Sequence, residues 1–257
     1  MNKNSYRIIY SKARQMFVAV AENVRSQTKT SGQSEASTQN NIDNTESQAF
    51  HQLWQVKALV ASISLWMPLA PVYAGIVADS AANAANRAVI GAGKNSAGTV
   101  VPVVNIQTPK NGISHNIYKQ FDVLAEGAVL NNSRQGATTK TVGNVAANPF
   151  LATGEARVIL NEVNSSAASR FEGNLEVAGQ MADVIIANPS GISIKGGGFI
   201  NANKAIFTTG KPQLNADGSI KQFTVDQGKI TVSANPNSKF GLGGNNNDAN
   251  YVDLYAR

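Results

Sequence analysis

Beyond about residue 75, apolar side chains recur at every second position in short stretches. Val104 and Ile106, Phe121 and Val123, Leu175 and Val177, Ile192 and Ile194, Phe223 and Val225, and Ile230 and Val232 each bracket one polar residue. This period of two is the signature of strands with one buried face. Val158 to Leu160 and Val184 to Ile186 are uninterrupted apolar runs, which predict strands covered on both faces. Turn dipeptides separate the stretches: Asn111-Gly112, Glu126-Gly127, Thr153-Gly154, Asn188-Pro189, Thr209-Gly210, Asp217-Gly218, Gln227-Gly228 and Asn235-Pro236. Glycine supplies the positive φ of tight turns, and asparagine bonds back to nearby backbone. No long helical pattern occurs in residues 75–257, so this zone is all-β.

The pattern leaves two β architectures open. Segments centred near Ile159, Val177, Ile194, Ile206 and Val225, together with 23 asparagines in residues 75–257, suit a parallel β-helix with Gly and Asn at its corners. A sandwich would use similar turns, and the repeat is too irregular to decide.

The first 74 residues read differently. Residues 1–32 interleave Arg7, Lys12 and Arg14 with Ile8, Ile9, Met16, Phe17, Val18 and Val20, which predicts a basic amphipathic helix. Residues 33–50 are dominated by Ser, Thr, Asn, Gln, Asp and Glu, a composition that buries too little apolar surface to offset ordering entropy. This is a linker. Residues 51–74 contain an apolar run from Ala58 to Leu69, shorter than the roughly 20 residues a membrane-spanning helix needs and interrupted by Pro68. It fits the hydrophobic region of a signal peptide. Val72 and Ala74 occupy the small-residue positions of a cleavage site, so the cut is expected between Ala74 and Gly75. The organisation expected is therefore an extended signal peptide over 1–74 and one exported domain over 75–257.

Composition narrows the chemistry. The 257 residues include no cysteine and two histidines, His51 and His115, which excludes disulfide scaffolds, thiolate metal sites and cysteine nucleophiles. The net charge of +6 divides into +3 over the first 74 residues and +3 over the much longer zone 75–257, which holds 15 Lys/Arg against 12 Asp/Glu and is nearly neutral. Nucleic acid is not an expected partner.

An ordered series of motifs carries a family resemblance. It runs from Asn105-Ile-Gln-Thr-Pro109 and Gly112-Ile-Ser-His-Asn116 through Gln120-Phe-Asp-Val123, Ala128-Val-Leu-Asn-Asn-Ser133 and Gly154-Glu-Ala-Arg-Val-Ile-Leu-Asn-Glu162. It continues into Leu175-Glu-Val-Ala-Gly-Gln180, Ala182-Asp-Val-Ile-Ile-Ala-Asn-Pro-Ser-Gly-Ile192 and Gly197-Gly-Phe-Ile-Asn201. Together these segments resemble the amino-terminal secretion domain of filamentous-haemagglutinin-type exoproteins, exported by two-partner (type V) secretion in Gram-negative bacteria. Tyr6-Arg7, Lys12-Ala13-Arg14 and Ala19-Val-Ala-Glu22 are similar to that family's extended signal peptide region.

The resemblance implies a right-handed parallel β-helix with extra-helical strands. It implies Sec-dependent export to the periplasm, then recognition by the POTRA domains and barrel of a cognate outer-membrane transporter. Folding would follow outside the cell, with the product secreted or held at the cell surface. Contact with host or bacterial surface glycans, adhesion, haemagglutination or delivery of a carboxy-terminal toxin would be the role of the larger protein. The secretion determinants of the family map to Asn148-Pro149-Phe150-Leu151 and Asn188-Pro189-Ser190-Gly191-Ile192, where Phe150 and Ser190 replace a usual asparagine. Asn and Pro at the first two positions of a turn, with Gly191 to aim the next strand, give these motifs a physical role as turns. Some relatives carry a cysteine pair after the second motif; Gly196-Gly197-Gly198 stands there instead.

Other chemistry is sparse. His115 has no second histidine in the exported zone and reads as a surface or turn residue. Glu155, Glu162, Glu172 and Glu176 are the acid–base candidates of a polysaccharide-active β-helix enzyme, but on a solenoid such carboxylates read as solvated. Gly91-Ala-Gly-Lys-Asn-Ser96 lacks the first glycine of a phosphate loop and reads as a flexible segment. No catalytic, cofactor or metal site is expected. A secretion-targeting module that starts β-helix folding is the leading reading; a carbohydrate-binding adhesin acting alone and a carbohydrate-active enzyme are the alternatives. A chain stopping after one more turn and strand near Tyr251, Val252 and Leu254 is expected to leave apolar ends open and to associate.

Overall fold

The computed structural model describes residues 6–11, 16–21, 75–235, 242 and 249–256. The chain divides into two compact units, Met1–Met67 and Pro68–Arg257.

In the first unit, β1 (Tyr6–Ser11) and β2 (Met16–Ala21) form an antiparallel pair, with Tyr6 opposite Ala21 and Ser11 opposite Met16. This corrects the helix expected over residues 1–32, as far as those residues are described. The two segments are rich in Tyr, Ile, Phe and Val, whose branched and aromatic side chains favour a pleated backbone over a helix. The linker, the hydrophobic region and Ala74 lie outside the described residues.

The second unit is a parallel β-helix. It opens with β3 (Ile76–Ala78), β4 (Val89–Lys94) and β5 (Val100–Asn105). Then come β6 (Ile113–Phe121), β7 (Ala128–Asn132) and the short strands β8 (Ala137–Thr139) and β9 (Gly143–Val145). The middle contains β10 (Val158–Val163), β11 (Ser169–Phe171), β12 (Asn174–Gly179), β13 (Ala182–Ala187), β14 (Ile192–Lys195) and β15 (Gly198–Ile200). The last elements are β16 (Ala202–Thr208), β17 (Lys211–Leu214), β18 (Ile220–Thr224), β19 (Ile230–Ser233) and β20 (Ala249–Tyr255).

Three sheets wrap the interior. One has the order β20-β16-β13-β10-β6-β3, the second β15-β12-β7-β5-β4 and the third β11-β14-β19. Successive coils visit them in the same rotation: β10, β11, β12, then β13, β14, β15, then β16 and, after a hairpin, β19. Stacking is in register and parallel, with Ser114, Ile159 and Val184 side by side along the first sheet and Leu130 beside Val177 in the second. Antiparallel strands close the amino-terminal end, β3 on β6 and β4 on β5. The segment Gly91–Ser96, expected to be flexible, is thus largely strand β4. Gly93 within it packs closely, since a Cβ there would sit 2.7 Å from Val142.

Inward side chains from all three sheets form one core that includes Val104, Ile159, Leu175, Val184, Ile194 and Phe207. Phe171 stacks on Phe199 at 5.1 Å between centroids and meets Phe207 edge-on at 5.0 Å, so the rings span successive coils. Gly197 lies against the Phe171 ring, where any side chain would collide. Close approach at this corner explains Gly197, and a φ of 74° explains Gly196.

Two antiparallel hairpins leave the solenoid and lie on its outside. The hairpin β17–β18 brings Leu214, Ile220 and Phe223 onto Leu160, Ile185 and Ala187, the outward side chains of the first sheet. This second cover is why the runs at 158–160 and 184–186 are apolar without alternation. The hairpin β8–β9 stands beside the second sheet. Its insertion, and that of β17–β18, lengthen two of the coils and erase a regular repeat from the sequence.

Candidate functional site

The two Asn-Pro segments fold into related turns. Asn148 is 3% exposed and precedes a 3-10 turn over Pro149–Leu151. Its side-chain Oδ1 accepts the Phe150 N–H at 3.0 Å, while Nδ2 donates to the carbonyls of Ile106 and Asn131, each at 2.9 Å. Its own N–H donates to the Ser133 carbonyl at 2.8 Å. Pro149 stays exposed, Phe150 is half-buried with its carbonyl accepting from Thr108 Oγ1 at 2.7 Å, and Leu151 drops into the core.

Asn188 is wholly buried and repeats the geometry. Its Oδ1 accepts the Ser190 N–H at 2.9 Å, and Nδ2 donates to the Ala167 carbonyl and Ser169 Oγ, each at 3.0 Å. The Asn188 N–H donates to the Thr208 carbonyl at 2.9 Å, and Gly191 adopts φ 115° at the exit of the turn. In both motifs the first asparagine holds the third residue by its backbone N–H. The third side chain is not needed for that bond, so Phe150 and Ser190 are compatible with the turn. Ser190 adds a bond from its hydroxyl to the Ser165 carbonyl at 2.6 Å.

Because both side-chain donors of Asn148 and of Asn188 are spent on the fold, neither is available to a partner in the folded domain. A buried carbonyl that loses such a donor costs about 1–3 kcal/mol. The turns are therefore elements of the fold first, and substitutions there act on folded stability as well as on any recognition.

The remaining candidates are dispersed. His115 lies on β6, half-buried, with Nε2 2.7 Å from Glu162 Oε2 on the neighbouring β10. The expectation of a surface or turn residue is corrected: His115 is a half-buried strand residue, and the adjacent parallel strand supplies a partner far away in sequence. Glu176 is 4% exposed on β12, and its two carboxylate oxygens accept the N–H groups of Lys140 and Thr141, each at 2.7 Å. The expectation of a solvated carboxylate fails there because the hairpin β8–β9 covers it. Glu162 and Glu176 sit on different sheets, and Glu155 and Glu172 lie in connections, so the four do not form an acid–base pair. Among the described residues no three His, Asp or Glu side chains gather as metal donors.

Sequence reasoning missed the polar interior. Tyr118, wholly buried, donates to Asn161 Oδ1 at 3.1 Å, and burial pushes its phenol above the ordinary value. Asn161 in turn donates to the Ile185 carbonyl at 3.2 Å, crossing to the next coil. Asn131 donates to Asn105 Oδ1 at 2.8 Å, joining asparagines of neighbouring coils. On the outer face Lys204 bridges Asp253 at 2.7 Å and lies 4.9 Å from the Tyr251 ring centre, tying β20 to β16.

Comparison with known proteins agrees with this architecture. The family model described as TPS secretion domain matches residues 74–257, and that described as Extended Signal Peptide of Type V secretion system matches residues 1–45. A protein named Toxin CdiA from Yersinia pestis is 41% identical over 262 residues, covering 100% of this chain and 7% of its own length. One named tRNA nuclease CdiA-2 from Burkholderia pseudomallei is 33% identical over 271 residues, covering 100% of this chain and 8% of its own. The chain thus spans less than a tenth of the length of these relatives. A crystal structure of the filamentous hemagglutinin secretion domain superposes with a TM-score of 0.57 at 36% identity, covering 71% of this chain and 55% of that one. A type V signal peptide followed by such a domain directs export across the envelope to the cell surface or medium, with a cognate outer-membrane transporter as partner. Extended signal peptide, β-helix and paired Asn-Pro turns converge on one assignment: the chain belongs to the family of two-partner secretion domains of CdiA- and filamentous-haemagglutinin-type exoproteins.

Proposed function

We propose that this chain is the leading, secretion-directing part of a contact-dependent inhibition exoprotein. Residues 1–74 take the chain to the Sec machinery and are removed between Ala74 and Gly75. Residues 75–257 are then recognised by the POTRA domains of the transporter through Asn148–Leu151 and Asn188–Ile192. Once outside, the same segments become the turns on which the β-helix is built.

The observation that supports this reading most is the complete use of the Asn148 and Asn188 side chains inside the fold. A partner that reads those side chains must read them before folding, which is the state of a chain crossing the periplasm. The module itself performs no chemistry; Glu162 and Glu176 serve to join a strand pair and to seat a hairpin. A nuclease activity of the kind named for some relatives would belong to another part of the larger protein.

The test is co-expression with the cognate outer-membrane transporter, followed by mass spectrometry of medium and periplasm. A fragment beginning at Gly75 that reaches the medium only with the transporter is the expected result. Its retention in the periplasm beside a working transporter would overturn the proposal.

A further inference from the structure

Large apolar side chains exposed to water gather on β20, where Tyr251, Leu254 and Tyr255 all stand out among the described residues. They face different ways. Val252 packs on the main core and Leu254 pairs with the core residue Phe207, so both belong to the inward side. Tyr251, Asp253 and Tyr255 alternate with them and share the outward side with Ile206, which pairs with Asp253 and packs on the outer cluster around Ile185. A further strand paired with the edge of β20 would extend the sheet sideways and leave its outward side bare. The exposure of the two tyrosines, 53% and 52%, is therefore a property of the outer surface and not of the solenoid's open end.

A bonded polar pair lies between the rings. Lys204 Nζ is 2.7 Å from Asp253 Oδ2, the Tyr255 hydroxyl donates to the same oxygen at 3.1 Å, and Lys204 Nζ lies 4.9 Å from the Tyr251 ring centre. One network thus orients both tyrosines before anything binds. Asp253 Oδ1 has no partner among the described residues, and Lys204 keeps N–H groups beyond the one it gives to Asp253. Next to Tyr251, the exposed Asn250 donates to Asn203 Oδ1 at 2.9 Å and keeps its own amide oxygen open. Four residues of extended chain set the two tyrosines about 13 Å apart.

This arrangement selects among ligands. A pyranose presents an apolar C–H face that packs on an aromatic ring, while its hydroxyls both donate and accept, which matches tyrosines flanking an ammonium and a carboxylate. The Lys204–Asp253 pair has no net charge, so a neutral chain is favoured and a polyanion meets a fixed carboxylate. A protein partner is poorly served. It needs about 800 Å² of surface per side, and the outward apolar surface of the neighbouring strands is already taken by Leu214, Ile220 and Phe223.

We propose that the outward side of β20 is a binding platform for a neutral oligosaccharide, with sugar rings stacked on Tyr251 and Tyr255 and the hydroxyls between them bonded to Lys204 and Asp253. It uses no residue of either Asn-Pro turn. The platform is independent of the transporter reading, since export can proceed with the site empty, and it adds a second role to the folded domain. Because the rings are separated, one sugar engages only one of them and binds weakly.

The test titrates the folded full chain with three neutral probes, cellohexaose, maltohexaose and N-acetylchitohexaose, with hexagalacturonate as the acidic probe and glucose as the single-ring control. Saturable binding of at least one neutral chain is expected, with shifts of the Tyr251 and Tyr255 ring protons and much weaker binding of glucose. Tyr251→Ala and Tyr255→Ala should each weaken binding about fivefold or more, the scale of one lost aromatic contact, while Tyr251→Phe retains it. An unchanged urea midpoint verifies that the alanine variants fold, and the ring-proton shifts of the parent give the answer without any substitution. Binding of none of the neutral chains, binding that leaves both tyrosine rings unshifted, or tighter binding of hexagalacturonate would overturn the platform. So would loss of self-association in Tyr251→Ala with no sugar bound by the parent, which would make this face a contact between copies of the chain.

Discussion

Asn148 and Asn188 each satisfy buried backbone that a side chain of another shape would leave unpaired. Asn148→Ala strands the Ile106 and Asn131 carbonyls and Asn188→Ala strands the Ala167 carbonyl, so each lowers stability by about 1–3 kcal/mol or more, Asn148→Ala by the larger amount. Urea unfolding followed by tryptophan-independent far-UV signal measures this, and an unchanged midpoint for both variants would contradict it. The Lys204–Asp253 pair sets a pH dependence at the same scale. The hydrogen bond from Lys204 holds the Asp253 carboxyl below its usual value, so its contribution is present above about pH 4 and lost as pH falls through the lowered value. The same bond raises Lys204, whose contribution persists below about pH 10 and is lost as pH rises through the raised value. Protection of the β20 amides relative to their intrinsic exchange rates should therefore be greatest between those limits, and Asp253→Asn should flatten the acid side of the profile.

At the scale of elements, the two hairpins are attached by different physics. Glu176 seats β8–β9 by accepting two backbone N–H groups at its turn, a charge-assisted cap. Glu176→Ala should release that turn, seen as faster exchange of the Lys140 and Thr141 amides, while the coil beneath keeps its protection. β17–β18 is held by apolar contact instead. Removing the half-buried ring in Phe223→Ala should cost about 1–2 kcal/mol and raise binding of a hydrophobic dye, because Leu160 and Ile185 lose cover. An unchanged dye signal would mean that the hairpin does not cover this face in solution.

Across the whole molecule the two ends of the solenoid differ. β3 and β4 cap the first coil with antiparallel strands. At the other end Leu254 pairs in register with the core residue Phe207 yet is 45% exposed, and Val232 pairs with the core residue Ile194 yet is 57% exposed. Side chains of core type facing water, beside a strand edge, favour association of this chain. Sedimentation velocity should show concentration-dependent association that Val232→Lys with Leu254→Lys reduces; monomeric behaviour of the parent at high concentration would refute it.

Local periodicity was sufficient for much of the solenoid. The strands around Val104, Leu175, Ile192 and Ile230 and the turns between them follow from residue order, since a pleated backbone alternates its side chains whatever lies beyond it. The ordered motifs likewise made the family legible without coordinates. What periodicity left open, coil against sandwich, depended on which strands pair across long sequence separations. The hairpins β8–β9 and β17–β18 hid the repeat that would have announced that pairing. The hairpin β1–β2 was misread because a short apolar and basic segment carries weak evidence of its period. His115 with Glu162, Tyr118 with Asn161 and Glu176 with Lys140 and Thr141 join residues that only coil stacking brings together. Strands, turns, the extended signal peptide and the two Asn-Pro segments are legible in the chain before folding, because each is written in neighbouring residues. Only the folded coils show that both asparagines of these segments are spent inside the fold and that the second turn is bonded to the coil that follows it, because both depend on what is stacked above and below.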